Sequence, residues 1–263
     1  MTTPPTPSLA TPSPATPPSA HGLLTGKGVL VTAAAGSGIG SATARRCLEE
    51  GARVVIADKH ERRLAETAAA LGVRGIVADV TDEASVQAMI QGAAETLGGI
   101  DVLVNNAGLG GTAEVHEMTD DQWSLVLDVT LTGTFRVTRA ALNHMYPRGA
   151  GVIVNNASVL AWRAQAGQAH YAAAKAGVMA LTRCSAVEAA PRGIRINAVA
   201  PSLAMHANLA KVTSDELLAE LTAREAFGRA AEPWEIANVI VFLASDYSSY
   251  MTGEVVSVSS QHP

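Results

Sequence analysis

Three residues near the middle of the chain have the types and spacing of a proton-transfer site. Tyr171 and Lys175 stand four positions apart, so their side chains share one face of a helix. An ammonium held beside a phenol favours the phenolate, and we therefore expect Lys175 to lower the pKa of Tyr171. A phenol tuned in this way can exchange a proton with a secondary alcohol or a ketone at neutral pH. Ser158, which precedes Tyr171 by thirteen residues, offers a hydroxyl that can hold the same substrate oxygen as charge develops on it.

A structural interpretation of the same residues competes with this one. A half-buried aromatic residue followed by a lysine that reaches for solvent also produces a Tyr-x-x-x-Lys pair. Two further features favour chemistry: a strand-like run over residues 151–156 leads into Ser158, and a glycine-rich turn lies close to the N-terminus.

The composition indicates a globular protein and gives no sign of a nucleic-acid or membrane partner. Hydrophobic residues make up 48% of the 263 residues and charged residues only 16%. The net charge of −5 gives no electrostatic footprint for nucleic acid or an anionic membrane, and no apolar run is long enough to span a bilayer. Cys47 and Cys184 are isolated, without metal or disulfide spacing, which predicts a reducing, cytoplasmic setting.

The chain divides into a tail and one domain. Residues 1–21 are rich in Pro, Thr and Ser and contain no Lys or Arg, which predicts a disordered tail without the basic region of a secretory signal. Residues 22–263 have the length of one large domain, and the less regular segment near 202–231 is predicted to be a substrate loop.

Short β-branched runs alternate with longer amphipathic stretches throughout this domain. Strands that read as continuous apolar runs and are separated by helices predict a parallel sheet covered on both faces. The expected fold is α/β, a doubly wound, Rossmann-type parallel sheet of about seven strands with helices on both faces. The strands are predicted near residues 29–32, 54–58, 75–79, 100–108, 152–155, 194–199 and 254–258. Helices are predicted near 40–50, 61–71, 84–97, 120–145, 171–190, from 214 onward and at 233–244.

The first strand leads into the glycine-rich turn of residues 32–40, and a helix follows it. Glycines there let the backbone approach a pyrophosphate at the positive end of that helix. Asp58, eighteen residues past Gly40, ends the second strand, where a carboxylate can accept both ribose hydroxyls and repel a 2′-phosphate. The cofactor predicted on this basis is NAD rather than NADP, although Lys59 and Arg62 could soften the preference.

Taken together, these motifs resemble the short-chain dehydrogenase/reductase family over roughly residues 24–257. The resemblance rests on the glycine-rich turn, Asp79-Val80, Asn105-Asn-Ala-Gly108, Ser158, Tyr171-x-x-x-Lys175 and Asn197-Ala-Val-Ala-Pro201. It implies that Tyr171 is the general acid/base, that Ser158 positions the substrate oxygen, and that Lys175 holds the nicotinamide ribose. The dinucleotide contacts it implies, together with Tyr171 and Lys175, are Ser37, Gly38, Ile39, Asp58, Asp79, Val80 and Asn106. Such enzymes are usually homotetramers or homodimers, and no metal is implied.

Four departures from the family pattern stand out. Ala33 occupies the place of the first turn glycine, and one extra residue precedes Gly38. Thr130 replaces the asparagine that anchors a proton-relay water, and His206 replaces a threonine that commonly holds the carboxamide. After the last strand, Ser259-Ser-Gln261 replaces Asp-Gly-Gly.

The segments expected to contact substrate are apolar. Residues 109–115, 159–170 and 202–226 are rich in Ala, Leu and Met, which predicts an apolar pocket with few charges. Arg163 could meet a carboxylate or phosphate and His170 adjoins Tyr171, or both could be solvated loop residues. The function expected is NAD(H)-dependent interconversion of a secondary alcohol and a ketone on an acyl-CoA-linked or polycyclic, steroid-derived substrate. Alternatives are a 3-oxoacyl-carrier reductase and a weakly catalytic scaffold that senses a dinucleotide.

Overall fold

The computed structural model describes residues 16–205 and 215–260. Within them the chain builds one sheet of seven parallel strands in the order β3-β2-β1-β4-β5-β6-β7. The strands are β1 Gly28–Thr32, β2 Arg53–Asp58, β3 Arg74–Val77, β4 Val102–Asn105, β5 Gly151–Asn156, β6 Ile194–Pro201 and β7 Val255–Val258. The chain winds outward from β1 to β3, returns to β4 beside β1, and then winds outward the other way. This reversal creates a crevice at the carboxyl ends of β1 and β4, where open α/β sheets bind ligands.

Helices cover both faces of the sheet. Those of the described residues are α1 Ile39–Glu49, α2 Glu61–Leu71, α3 Glu83–Leu97, α4 Asp120–Leu127, α5 Gly133–Met145, α6 Ala169–Ala189, α7 Asp215–Ala223 and α8 Pro233–Ala244. Because successive strand residues point to opposite faces, Leu30 joins the core beneath α3 and α5, whereas Val31 joins the core beneath α1 and α8. The doubly wound arrangement predicted from the sequence is therefore confirmed.

Local signals set the limits of several helices. The Asp82 side chain caps α3 by accepting from the backbone N–H of Ala84 at 3.0 Å, and Gly98 ends that helix with φ of 68°. Thr119 and Gln122 form a reciprocal capping box at the start of α4. These caps place the loops that precede α3 and α4 at the carboxyl edge of the sheet.

The long helical region predicted over residues 120–145 is interrupted. Between α4 and α5 lies one π-helical turn, Asp128–Thr132, which inserts a residue into the helix and carries Thr130. Such turns recur at functional sites because they redirect a side chain without ending the helix. The hydrophobic period of this segment gives no sign of it, so the sequence predicted one continuous helix.

The chain ahead of β1 is held against α1 by a buried ion pair. The Glu50 carboxylate accepts backbone N–H bonds from His21 at 2.9 Å and Leu23 at 3.0 Å, and Arg46 Nη2 donates to it at 2.9 Å. Arg46 also donates to the carbonyl of Pro18 at 3.4 Å. Of the predicted tail, residues 1–15 lie outside the described part of the chain, as does His206.

Among the helices of residues 16–205 and 215–260, none combines the length and apolarity needed to cross a membrane.

Candidate active site

A large cavity opens at the carboxyl ends of the central strands. Its volume is 1180 Å³, above the usual range of about 300–1,000 Å³ for a single small-molecule site. Its walls are of two kinds. One, the turn side, is formed by residues 32, 33, 35–40, 57–60, 63 and 78–80; the other, the Tyr171 side, is formed by residues 109–112, 159, 160, 163–165, 168, 201–204, 221 and 224.

Ser158, Tyr171 and Lys175 meet where the two sides join. Ser158 lies two residues past the end of β5 and is 8% exposed, and its Oγ accepts from the backbone N–H of Leu160 at 3.2 Å, which starts a short 3₁₀ turn. Tyr171 lies in the first turn of α6 and is hydrogen-bonded to the Ser158 side chain. Lys175 lies one turn further along the same helix. The structure thus brings together the three side chains singled out by spacing.

Lys175 is almost completely buried, at 2% exposure. Its Nζ donates to the main-chain carbonyl of Asn156 at 2.5 Å and lies 5.6 Å from the centre of the Tyr171 ring. Burial disfavours the charged amine and lowers the pKa of Lys175 from 10.5 to about 8. Lys175 is therefore deprotonated more readily than a solvent-exposed lysine.

The expectation that Lys175 lowers the pKa of Tyr171 is wrong. Burial raises the pKa of Tyr171 above 10.0, and the hydrogen bond with Ser158 offsets only part of that rise. The reason is geometric: the ammonium is bonded to the Asn156 carbonyl rather than to the phenol, while protein atoms replace water around the ring. At neutral pH the phenol holds its proton and can donate it.

The glycine-rich turn absorbs its extra residue by a change of backbone conformation. Gly36 adopts φ of 96°, and Ala33 adopts φ of 49°, the one positive φ of a non-glycine residue in the described chain. At Gly40 a Cβ would meet the Ala33 carbonyl oxygen at 2.4 Å and the Asn106 Nδ2 at 2.7 Å. Only glycine therefore fits where the first turn of α1 crosses the end of β4.

Two carboxylates stand at the ends of neighbouring strands on the turn side. Asp58 accepts from the backbone N–H groups of Ala35 at 3.1 Å and His60 at 3.0 Å, so it also braces the turn. Asp79 accepts from the backbone N–H of Thr81 at 2.9 Å and from its hydroxyl at 2.8 Å. These bonds, the backbone one foremost, hold the pKa of Asp79 below 3.8 despite partial burial.

The residues predicted to contact a dinucleotide are all on the wall of this one cavity. They are Ser37, Gly38, Ile39, Asp58, Asp79, Val80, Asn106, Tyr171 and Lys175.

Asn156, the last residue of β5, was not predicted as a site residue. Its side chain donates to the Asn106 Oδ1 at 2.8 Å, and its main-chain carbonyl receives the Lys175 ammonium. Asn156 therefore links the turn side to the helix that carries Tyr171. A polar residue at the end of an otherwise apolar strand, two positions before Ser158, was the available signal.

Thr130 performs a different task from the one expected at its position. It is fully buried, and its Oγ1 accepts from the Leu109 N–H at 3.0 Å and contacts the Leu109 carbonyl at 3.1 Å. Gln168 Nε2 donates to the Gly111 carbonyl at 2.7 Å. These bonds hold the glycine-rich segment 108–111 against α6, where a Cβ on Gly110 would lie 3.9 Å from the Tyr171 ring.

Comparison with known proteins identifies the family. A family model described as enoyl-(acyl carrier protein) reductase matches residues 33–260. The chain belongs to the short-chain dehydrogenase/reductase family, and it is an oxidoreductase that acts on a small molecule.

Two curated relatives cover nearly the whole chain. A reductase of Mycobacterium tuberculosis named for (5R,7aS)-5-hydroxy-7a-methyl-1-oxo-2,3,5,6,7,7a-hexahydro-1H-indene-carboxyl-CoA is 66% identical over 251 residues, covering 92% of this chain and 95% of its own. Cis-4-hydroxycyclohexanecarboxylate dehydrogenase of Sinomonas cyclohexanicum is 44% identical and covers 88% and 94%. Among solved structures, a short chain dehydrogenase from Mycobacterium smegmatis superposes with a TM-score of 0.86 at 58% identity, covering 95% of this chain and 99% of that one.

Proposed function

We propose that the protein interconverts a secondary alcohol and a ketone on an alicyclic ring substrate linked to coenzyme A, with NAD(H) as cofactor. The observation that carries the proposal is the joining of Ser158, Tyr171 and Lys175 at the wall of a cavity large enough for a dinucleotide and a second molecule. The names of two relatives support the substrate class, since both refer to a hydroxylated carbocycle that bears a carboxyl group, in one case as its CoA thioester.

The turn side fits a dinucleotide. The backbone there is so closely packed that a side chain at Gly40 would clash. The free backbone N–H groups at the N-terminus of α1 favour binding of a pyrophosphate. Asp58 ends β2 with a carboxylate that suits two ribose hydroxyls and opposes a 2′-phosphate, which supports NAD over NADP. NAD(H), when bound, supplies the hydride exchange at the carbinol carbon.

The chain's own residues move the proton. In the direction of reduction, the Tyr171 hydroxyl donates its proton to the substrate oxygen as negative charge develops there. The Ser158 hydroxyl, already bonded to Tyr171, donates a second hydrogen bond to that oxygen. Lys175 would hold the nicotinamide ribose beside Tyr171, because its Nζ lies on the cavity wall 5.6 Å from the centre of the Tyr171 ring.

The Tyr171 side suits an apolar ring. Its described lining includes Leu109, Val159, Leu160, Leu203 and Leu221. Such a wall excludes water from the reacting oxygen, which strengthens the hydrogen bonds from Ser158 and Tyr171.

Tyr171→Phe tests the mechanism. We expect the variant to bind NADH as the wild type does but to oxidise it at least about 100-fold more slowly, because only the proton donor is lost. NADH fluorescence is followed with a panel of ring-ketone CoA thioesters, 3-oxoacyl-CoA thioesters and the free acids. Tyr250→Phe, at a fully exposed tyrosine, is the matched control.

The outcomes separate the alternatives. Turnover of 3-oxoacyl thioesters in preference to ring ketones would favour the 3-oxoacyl-carrier reductase. NADH binding by the wild type without oxidation by any ketone would favour the dinucleotide-sensing scaffold. A Tyr171→Phe variant with full activity would refute the assigned acid/base.

We also propose a cytoplasmic, homo-oligomeric protein. Burial raises the pKa of the Cys47 thiol to about 12, and Cys184 is a separate exposed thiol, which suits a reducing compartment. Trp123, Leu125 and Phe135 expose large apolar side chains on α4 and α5, which supports self-association.

A further inference from the structure

We propose that Arg163 and Arg224 form an anion subsite on the Tyr171 side of the cavity and recognise the charged end of the substrate. The inference rests on the proposed function, which supplies the reaction, and adds where the anionic group of the substrate binds. The shared chemistry is an oxyanion, either a carboxylate on the ring or a phosphate of coenzyme A.

The distribution of charge supports this assignment. The whole chain carries a net charge of −5, yet Arg163 and Arg224 are the charged side chains on the described part of the Tyr171 side. Asp58 and Asp79, the acidic residues of the described lining, both lie on the turn side. A neutral ring ketone requires no cation, whereas two guanidinium groups over an apolar wall match an apolar body with an anionic end.

Hydrogen bonds fix the backbone near both arginines. The N–H of Arg163 bonds to the Val159 carbonyl at 3.0 Å, which ties it to the first residue of the 3₁₀ turn that follows Ser158. Arg163 therefore sits on the same short segment as the hydroxyl that holds the reacting oxygen. An anion bound there is positioned relative to Ser158 by the six-residue segment 158–163.

Arg224 follows α7 and is placed by its neighbour. Glu225 is 4% exposed, and its carboxylate accepts from the Leu203 N–H at 3.4 Å and from the Ser260 hydroxyl at 2.6 Å. These bonds join the segment after α7 to the end of β6. The Arg224 side chain is 55% exposed and pairs with Glu220 one turn earlier. Because it is exposed and also lines the cavity, it lies at the cavity mouth, where the far end of a long substrate would reach solvent.

The test separates binding of the anion from the chemistry. Arg163→Gln, Arg224→Gln and the control Arg139→Gln, an arginine outside the cavity lining that is 46% exposed and paired with Glu83, are assayed with three matched substrates: a hydroxycyclohexanecarboxylate, its methyl ester and its CoA thioester. We expect each cavity variant to raise KM for at least one anionic substrate by about tenfold, with kcat and the ester kinetics unchanged. Calorimetry with cyclohexanecarboxyl-CoA and cyclohexanecarboxylate gives a readout that needs no turnover.

Each result has a defined meaning. Weakened binding of the free acid identifies a carboxylate as the ligand, and weakened binding of the thioester alone identifies a phosphate; both support the subsite. Unchanged binding of both ligands, or an equal loss for the methyl ester, overturns it. If the wild type binds the anions in an arginine-dependent way but turns over none of the three substrates, the subsite stands and the proposed reaction fails.

Discussion

Replacing Lys175 by methionine should stabilise the folded protein and abolish its catalytic turnover. The folded protein lowers the pKa of this buried amine from 10.5 to about 8, which corresponds to a cost of about 3 kcal/mol for keeping it charged at pH 7. Methionine has a similar length and carries no charge. The variant cannot donate to the Asn156 carbonyl, and losing this hydrogen bond lowers the free energy of unfolding by about 1–2 kcal/mol. We therefore expect Lys175→Met to raise the free energy of unfolding at pH 7 by about 1–2 kcal/mol, by the difference of these two effects.

The pH dependence gives the decisive measurement. Because the folded-state pKa lies below the unfolded one, the unfolded chain binds more protons between pH 8 and 10.5, and wild-type stability rises with pH over this interval. The methionine variant lacks this rise. Its advantage at pH 7 should therefore shrink by about 2 kcal/mol at pH 9.5.

Urea unfolding of the cofactor-free protein at pH 7.0 and 9.5, at equal protein concentrations, measures this difference. Lys27→Met, at a lysine whose side chain is 41% exposed, is the control and should show no such change. A stability difference between wild type and Lys175→Met that stays constant with pH would refute the reasoning. Activity assays on the same samples should show loss of turnover at both pH values.

Three further substitutions test other parts of the site. Ala33→Gly should stabilise the fold by about 0.5–1 kcal/mol in urea unfolding, because it relieves a left-handed alanine, whereas the control Ala35→Gly should destabilise it. Asp58→Ser should reduce the preference for NAD over NADP by about tenfold or more in kcat/KM, and an unchanged ratio would remove Asp58 from the cofactor argument. Thr130→Val should lower the free energy of unfolding by about 1–3 kcal/mol and reduce kcat/KM, while Thr130→Ser, which keeps the hydroxyl, should retain both; equal behaviour of the two variants would contradict the role assigned to the bonds with Leu109.

The sequence predicted the sheet because its strands are continuous β-branched runs, such as Val54-Val-Ile in β2, whose burial needs no information about partners. It predicted the meeting of Tyr171 and Lys175 because helical periodicity alone places them together. It could not predict that the pKa of Tyr171 is raised, because that direction depends on the burial of the phenol in the folded chain, while the Lys175 ammonium is bonded to the Asn156 carbonyl.

Two other features were hidden for a similar reason. The π-helical turn at Asp128–Thr132 has the hydrophobic pattern of an ordinary helix, and its Thr130 is bonded to Leu109, twenty-one residues away. The link from Asn156 to Asn106 spans fifty residues. Contacts between distant side chains leave no periodic trace in a single sequence.

The buried carboxylate of Glu50 has a practical consequence for shortening the protein. Although burial alone would raise its pKa, the backbone donors of Leu23 and His21 and the charge of Arg46 hold the pKa of Glu50 below 4.5. These contacts require the chain from Pro18 onward. A protein trimmed to begin at Gly22 would lose one donor to a charge that has little access to water, so its free energy of unfolding should fall at neutral pH, and this loss should fade as the pH drops below 4.5. An affinity tag or cleavage site is therefore best placed before Pro18.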